Sequence, residues 1–211
     1  MCGFVGIFGQ PNKAQRSLLE ESASFISNRG PDDKVVLNRE TFSLAFHRLA
    51  ILAPENGEQP ISNETGDVWA VVNGEIYNYK KLRKDLSIKG HKFKTETDSE
   101  VVVHLYEEFG EAFVEQLNGM FAFAIIDERN RSLYLGRDRF GIKPLFYYCN
   151  NNSIAFGSEI KSIRKFFNFQ SSINFKALNS FLKFGFNKNY TSIFNDLVQV
   201  KPGEVIQIDQ N

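Results

Sequence analysis

The chain begins with MCGFVGIFG, which places a thiol, that of Cys2, at its second position. We expect Met1 to be removed, because the residue that follows it is small. Processing would leave Cys2 with a free α-amine, of pKa about 8, beside a thiol of pKa about 8.5. The amine could then act, directly or through a water, as the base that activates the thiol. Taken alone, position two favours a small apolar filler at a strand end, and a nucleophilic cysteine is the alternative that the other motifs of the chain must support.

Other catalytic and metal-binding patterns are missing from the sequence. None of the three histidines has an HExxH or other metal-ligand spacing, so we expect no metal site. His91 and His104 are predicted to be surface or helix-face residues, and His47 a packing or hydrogen-bonding neighbour. A GxSxG elbow, a Walker loop and a GxGxxG fingerprint are also absent, which argues against phosphate binding.

The second cysteine, Cys149, lies in the apolar-aromatic run LFYYC. We expect it to be a buried or half-buried bystander. A disulfide with Cys2 is the weaker interpretation, because only one pair could form and a reducing compartment is expected.

Strand and helix signals alternate irregularly along the chain. Short apolar runs predict strands, and they lie at 2–9, 34–38, 41–47, 67–74, 119–127, 132–138, 145–149, 153–158 and 203–208. Helical spacing is found at 12–28, after Asn78, after 97–100, at 158–167 and at 174–185. Asn12 and Asn78 are the expected N-caps, and turns are expected at 29–33, 128–131 and 150–152. Hairpins with inserted helices predict one α+β domain with antiparallel sheets.

Composition excludes several classes of protein. The 211 residues carry 25 basic and 25 acidic side chains, so nothing calls for nucleic acid or an anionic membrane surface. No apolar run approaches the roughly 20 residues of a membrane span. The start lacks the basic and apolar regions of a signal peptide, and we therefore expect a cytoplasmic location.

Eight motifs follow one another along the chain. They are MCGFVGIFG at 1–9, RGPDD at 29–33, HRLAI at 47–51, NGEIYNY at 73–79, TDSE at 97–100, GMFAFAIID at 119–127, GRDRFGIKPLFY at 136–147 and FGSEIKSI at 156–163. Together they resemble the N-terminal class II glutamine amidotransferase domain of glutamine-dependent asparagine synthetases. RGPDD and GRDRFGIKPLFY favour this branch over relatives that aminate sugars or phosphoribosyl pyrophosphate.

The resemblance implies both a fold and a reaction. The family fold is a four-layer αββα sandwich, the N-terminal nucleophile hydrolase fold, in which two antiparallel sheets lie between helices. Cys2 would attack the side-chain amide of L-glutamine and release ammonia, leaving a glutamyl thioester that is hydrolysed to glutamate. Asn73 and the Gly74 amide would stabilise the oxyanion. Without the other motifs, the dipeptide Asn73-Gly74 favours a hairpin turn.

The resemblance also assigns the residues that bind glutamine. Arg48 would hold the α-carboxylate, for which a guanidinium fork is suited, and Asp98, helped by Glu75, the α-ammonium. The alternatives are a surface ion pair for Arg48 and a helix N-terminal acid for Asp98. The stretch that would line the pocket consists of Leu49, Ala50, Ile51 and Leu52. Arg29 is expected to frame the site without touching substrate, and GRDR at 136–139 either lies near the path of ammonia or is a solvated turn.

Family members continue into a synthetase domain that amidates aspartate with ATP and Mg²⁺. We predict that residues 1–203 form the amidotransferase domain and that residues 204–211 begin a linker or strand towards that C-terminal domain. Glutamine hydrolysis itself should need no cofactor, and a homodimer is left open. Two rival functions remain: a non-catalytic glutamine-binding or interaction module, and an N-terminal-nucleophile amidohydrolase that acts on another amide.

Overall fold

A computed structural model describes residues 1–150, 153–166, 172–187 and 190–210. Its strands are β1 Gly3–Phe8, β2 Asp33–Asn38, β3 Phe42–Arg48, β4 Ile61–Ser62, β5 Val68–Ile76, β6 Gly119–Asp127, β7 Ser132–Arg137, β8 Phe146–Cys149, β9 Ile154–Gly157, β10 Val198–Gln199 and β11 Val205–Asp209. Its helices are α1 Lys13–Ser24, α2 Tyr79–Ile88, α3 Val101–Phe109, α4 Ile160–Ile163 and α5 Phe175–Phe184.

The strands form two antiparallel sheets. The first sheet has the order β10-β8-β9-β1-β3-β2, and the second has the order β11-β7-β6-β5-β4. In the first sheet β1 pairs with β3 on one side and β9 on the other, so Gly3 lies opposite His47. This central position holds the residue after Cys2 firmly in the sheet.

The alternation of side chains along β1 explains its apolar sequence. Phe4 and Phe8 point into the core between the two sheets, whereas Val5 and Ile7 pack on the opposite face with α1 and α4. Because successive residues of a strand face opposite sides, a strand covered on both faces is apolar throughout. Gly6 faces the core between the sheets, where an added Cβ would press on the ring of Phe156.

A third core cluster covers the outer face of the second sheet. There α2 and α3 pack their buried residues, among them Leu82, Leu86 and Leu105, against Val72 and Phe123 of the strands. The layers therefore run helix, sheet, sheet, helix, and the predicted α+β sandwich of two antiparallel sheets is confirmed. None of the helices in the described part of the chain combines the length and apolar character needed to cross a bilayer.

Most predicted elements are present, with ends shifted by a few residues. The helix expected at 158–167 contains only α4 and a 3-10 turn, Arg164–Phe166, and residue 167 lies outside the described residues. Of the turn expected at 150–152, residues 151 and 152 also lie outside them. The last predicted strand is present as β11, which pairs with β7 at the edge of the second sheet. The domain boundary at 203 stays a prediction.

Two local expectations differ from the structure. Asn12 caps α1 as predicted, because its side chain accepts the Gln15 amide. Asn78 precedes α2 but its side chain makes no cap, since it bonds the Gln116 carbonyl and the Asn118 amide instead. Cys149 was expected to be buried or half-buried and is exposed at the end of β8. That expectation is wrong because β8 lies near the edge of its sheet, where one face of the strand meets solvent.

Candidate active site

A cavity opens where the start of β1 meets the end of β5. Its volume is about 530 Å³, which includes the open space at its mouth. The residues that line it are Met1, Cys2, Arg48, Leu49, Ile51, Leu52, Gly57, Gln59, Val72, Asn73, Gly74, Glu75, Thr97, Asp98, Ser99 and Lys143. Nine of the residues named from the sequence therefore meet here; Ala50 and Arg29 do not line the cavity.

Cys2 is half-buried at the entry to β1, with its thiol held by the backbone of Leu49. The Leu49 amide donates to Sγ at 3.3 Å, and Sγ lies 3.6 Å from the Leu49 carbonyl oxygen. The Arg29 Nε donates to the Cys2 carbonyl at 3.0 Å, and its Nη1 pairs with Glu159 at 3.2 Å. Arg29 thus fixes the backbone of Cys2 from outside the cavity. Both cysteines are free thiols, as expected.

Asn73 and Gly74 lie within β5, and not in a hairpin turn. Asn73 pairs with Ala122 and Gly74 with Phe121 of β6, so the turn interpretation of this dipeptide is wrong. The Nδ2 amide of Asn73 is buried and has no hydrogen-bond partner among the described residues. A buried donor left without a partner is costly, and such a group at a cavity wall is suited to an incoming oxygen. An added Cβ at Gly74 would collide with the Met120 carbonyl, which explains the glycine.

Arg48 is buried, which excludes the interpretation as a surface ion pair. Its Nη1 donates to the Pro54 carbonyl at 3.0 Å, and its Nη2 donates to the carbonyls of Leu52 at 3.0 Å and Ala53 at 2.6 Å. The guanidinium therefore organises the loop after β3. Within the described part of the chain these bonds use three of its five N–H donors, so one on Nη1 and that on Nε are left for a ligand.

Asp98 lies before α3 and is buried beside Glu75. Its Oδ2 accepts the Ile76 amide at 2.6 Å, and its Oδ1 lies 3.4 Å from the Ser99 hydroxyl. Burial raises the pKa of Asp98, and the nearby charge of Glu75 adds to this effect, although the hydrogen bond from Ile76 opposes it. A carboxylate in this position would be stabilised by a cation, such as an α-ammonium group, bound in the cavity.

Two residues beside the cavity, Ala50 and His47, are held in place by hydrogen bonds. Ala50 donates its amide to Asp32 Oδ2 at 2.8 Å, which ties the RGPDD turn to the loop after β3. His47 Nδ1 lies 3.3 Å from the Gly30 carbonyl oxygen, so its predicted role as a hydrogen-bonding neighbour is confirmed. Burial also lowers the pKa of His47, which favours the neutral ring.

The GRDR segment is the end of β7 and the start of the turn after it; its first three residues are buried and Arg139 is exposed. Arg137 donates to the carbonyls of Lys143 at 2.6 Å and Val200 at 2.8 Å, and Asp138 accepts the amides of Phe140 and Ile142 at 3.0 Å each. Burial lowers the pKa of Arg137. The turn brings Lys143 to the cavity, with its Nζ 3.3 Å from the Met1 sulfur.

Sequence reasoning missed Lys143 and Gln59 as cavity residues. Gln59 bonds both ways to Val72 of β5, with its Oε1 accepting the amide at 2.7 Å and its Nε2 donating to the carbonyl at 3.1 Å. Its side chain thus continues the sheet beyond β4. The signal for Lys143 was its place inside the motif GRDRFGIKPLFY; for Gln59 the sequence offered none.

Comparison with known proteins identifies the class of protein. The family model described as glutamine amidotransferase domain matches residues 1–211, so the chain belongs to that family. The chain is 38% identical over 212 residues to glutamine-hydrolyzing asparagine synthetase 1 of Bacillus subtilis, covering 99% of this chain and 33% of that protein. It is 43% identical over 166 residues to glutamine-hydrolyzing asparagine synthetase 3 of Arabidopsis thaliana, covering 77% of this chain and 28% of that protein. The chain thus spans about a third of these relatives or less.

Solved structures agree on the fold. Glutamine phosphoribosylpyrophosphate amidotransferase from B. subtilis, complexed with ADP and GMP, superimposes with a TM-score of 0.67 at 20% identity, covering 99% of this chain and 47% of that one. A structure described as the allosteric regulatory enzyme of purine biosynthesis gives a TM-score of 0.66 at 19% identity, with the same coverage. These likenesses confirm the predicted N-terminal nucleophile hydrolase fold.

Proposed function

We propose that this chain hydrolyses L-glutamine to L-glutamate and ammonia, with Cys2 as the nucleophile. The observation that carries the proposal is the presence in one cavity of the Cys2 thiol and the unpartnered Nδ2 amide of Asn73. A thiol supplies the attacking sulfur, and a buried donor suits the oxyanion that the attack creates. Membership of the glutamine amidotransferase domain family supports glutamine as the amide that reacts.

The reaction starts once removal of Met1 has freed the α-amine of Cys2. This amine takes the thiol proton, directly or through a water, and the sulfur bonds to the amide carbon of glutamine. The carbonyl electrons move to oxygen, where Asn73 Nδ2–H and the Gly74 amide donate to the oxyanion. When the oxyanion collapses, the C–N bond breaks and the nitrogen leaves with the proton as ammonia. Water then attacks the thioester and releases glutamate and the thiol, so no cofactor is needed.

Recognition of free glutamine follows from the charged residues that line the cavity. The two remaining donors of Arg48 bind the α-carboxylate, and Asp98 with Glu75 binds the α-ammonium. Leu49, Ile51 and Leu52 also line the cavity and contact the aliphatic part of the substrate. A pocket for an acylated amine or a peptide would need an apolar slot where these charges lie. The charges therefore favour a free amino acid over another amide.

The wider activity is that of a glutamine-dependent asparagine synthetase. In this proposal ammonia passes to a C-terminal synthetase domain, which amidates aspartate with ATP and Mg²⁺. The names of the relatives and their greater length support it. The exposed apolar face of α5, where Phe175 and Leu182 are each 74% exposed, is suited to contact such a domain. A cytoplasmic location, supported by two free thiols, belongs to the same proposal, and a homodimer stays a prediction.

The test begins with the intact mass of the purified chain, followed by an assay of glutamate released from glutamine. We expect the mass of a chain without Met1, and activity that is lost with a single adduct of a thiol-alkylating glutamine analogue on Cys2. Cys2→Ala should abolish the activity, whereas Cys149→Ala, which removes an exposed thiol far along the sheet, should retain it.

Each other outcome points to a different conclusion. A processed N-terminus without hydrolysis, but with glutamine binding, would favour the binding module. Hydrolysis of other amides in preference to glutamine would favour the general amidohydrolase. If Met1 is retained, the chain is first cleaved to expose Cys2, and failure to hydrolyse glutamine after that would overturn the proposal.

A further inference from the structure

Four side chains that could bind a metal ion meet on the outer helical layer, away from the glutamine cavity. Glu64 comes from the turn between β4 and β5, His91 from the segment after α2, and His104 and Glu107 from α3. One potential ligand atom from each lies within 4.8 Å of all the others. The sequence predicted no metal site, because the ligands come from three separated segments and only His104 and Glu107 share a helix face.

The centre of the cluster is buried and lacks hydrogen bonds. The side chain of His104 is only 1% exposed, and neither ring nitrogen has a hydrogen-bond partner among the described residues. The Oε2 atom of Glu107 is likewise buried without a partner in that part of the chain. His104 was expected on a helix face, where it lies, but not in the interior. Buried polar atoms without partners need an explanation, and a bound ion is one of the recognised ones.

The spacing of these atoms is suited to a four-coordinate ion. Four ligands at about 2.1 Å from Zn²⁺ in a tetrahedron lie about 3.4 Å apart. His104 Nδ1 lies 3.4 Å from Glu64 Oε2 and 3.8 Å from Glu107 Oε2. His91 Nδ1 lies 3.2 Å from Glu64 Oε1. Small side-chain shifts would bring these atoms onto one ion.

Two of the ligands, His91 and Glu107, are also oriented by a neighbour outside the cluster. The other ring nitrogen of His91, Nε2, lies 3.3 Å from Glu108, whereas Nε2 of His104 faces Glu100 at 3.7 Å, beyond hydrogen-bond distance. Metal-binding histidines usually donate this second N–H to a carboxylate, which fixes the tautomer and the ring. Asn63 donates to Glu107 Oε1 at 2.8 Å, which leaves Oε2 for the ion.

We propose that Glu64, His91, His104 and Glu107 bind a divalent transition-metal ion of the Zn²⁺ class. Two imidazoles and two carboxylates are donors that Zn²⁺ accepts in tetrahedral sites. The ion links three parts of the fold: the β4–β5 turn, the segment that follows α2, and helix α3. It is a structural ion: it fastens the outer helical layer and takes no part in glutamine hydrolysis, since none of its four ligands lines that cavity.

The competing occupant of this cluster is a proton. Burial alone would lower the pKa of His104, but the carboxylates of Glu100, Glu107 and Glu64 outweigh it and raise the pKa to about 9. The protonated ring would then be a buried cation among carboxylates. Arg129, whose Nη1 lies 3.7 Å from Glu107, adds a second positive charge at the rim of the cluster. Only a binding measurement separates the two occupants.

The experiment uses the full chain, freed of metal by a chelator and with both thiols alkylated, so that only imidazole and carboxylate ligands remain. It is titrated with Co²⁺, whose visible absorption reports tetrahedral coordination, and then with Zn²⁺ as a competitor. We expect one Co²⁺ per chain, displaced by one Zn²⁺, together with a higher melting temperature in Zn²⁺.

The variants His91→Gln and Glu107→Gln should each weaken Co²⁺ binding at least tenfold. Glu107→Gln keeps the shape of the side chain and its hydrogen bond to Asn63, so this variant is expected to fold as the parent does. The control variant Glu115→Gln, at an exposed residue on the same layer, should bind Co²⁺ with the affinity of the parent. Absence of stoichiometric binding by the folded chain would overturn the proposal, as would equal affinity in all three variants.

Discussion

Asn73 tests the proposed oxyanion site at the level of one atom. Removing one donor to an oxyanion typically slows catalysis about 100- to 1,000-fold. We therefore expect Asn73→Ala to lower kcat for glutamine hydrolysis by that factor, with little change in KM. Because Nδ2 has no partner among the described residues, no internal hydrogen bond of that group is lost, and the melting temperature should stay close to that of the parent.

Steady-state kinetics and a thermal melt measure both quantities. The matched control is Asn56→Ala, which removes an exposed amide that does not line the cavity. A parental kcat in Asn73→Ala would show that the amide does not serve the oxyanion.

Asp98 links the binding of glutamine to pH. Its pKa is raised, chiefly by burial, so the side chain becomes protonated at a higher pH than the roughly 3.9 of an ordinary aspartate. Protonation removes the charge that would hold the α-ammonium, and KM should therefore rise as the pH falls through this range. Asp98→Asn should raise KM at neutral pH by roughly 10- to 150-fold, since a charged hydrogen bond contributes about 1.5–3 kcal/mol.

The same shift predicts an effect on stability. Where the folded pKa is raised, the folded state holds the proton more tightly, so stability falls as the pH rises from the unfolded pKa to the folded one. Asp98→Asn should thus melt above the parent at neutral pH, because asparagine can still accept the Ile76 amide. If the KM of Asp98→Asn still rises as the pH falls, that rise is caused by the protonation of another group.

At the scale of elements, the pairing of β5 with β6 determines the position of Asn73. Gly74 lies so close to β6 that an added Cβ would collide with the Met120 carbonyl and press on Phe121. These are backbone atoms, which cannot turn away as a side chain can. We expect Gly74→Ala to destabilise the fold by at least about 3 kcal/mol and to abolish activity.

Chemical denaturation measures the loss. Gly66→Ala is the control: this glycine has a φ of +77° and nothing within 4 Å of an added Cβ, so only the backbone strain of about 1–2 kcal/mol is expected. Equal losses in both variants would mean that the close approach to β6 has no cost of its own.

The sequence predicted these elements where a local pattern exists. The apolar run of β1 and the N-cap at Asn12 are such patterns, and both are present. The strands β4 and β10 have two residues each, too few for any periodicity, and were missed. Asn78 has the right type and place for a cap, but bonds to the distant segment 116–118 instead, a contact that no local pattern encodes.

The site was predictable to the extent that its residues lie in motifs. Cys2, Asn73 and Asp98 come together as the motifs implied, although their roles stay predictions. Gln59 reaches the cavity because the loop after β3 folds back on β5, and the metal-binding cluster forms because α3 packs against a turn of the second sheet. Both depend on tertiary packing, which places residues from separate segments side by side.

At the scale of the whole molecule, α5 leaves a large apolar face exposed. Of the ten residues of α5, only Ala177 is buried. Large apolar side chains that are exposed on α5 and just beyond it are Phe175, Phe181, Leu182, Phe184 and Phe186. Contiguous exposed apolar residues mark contact surfaces, and this one is consistent with a further domain like that of the longer relatives.

Leu182→Ser tests this surface. Since Leu182 is 74% exposed, the variant should have the same melting temperature as the parent. It should bind less of a fluorescent apolar dye and self-associate less at high concentration. The control is Ile88→Ser on α2, where a side chain of similar exposure, 76%, should contribute less, because the other apolar residues of that helix, Tyr79, Leu82 and Leu86, pack against the core. If the chain is part of a longer asparagine synthetase, as proposed above, Leu182→Ser in that protein should lower the asparagine formed per glutamate released, because a loosened domain contact lets ammonia escape. If the ratio of asparagine to glutamate and the dye binding are both unchanged, α5 is not part of a domain interface.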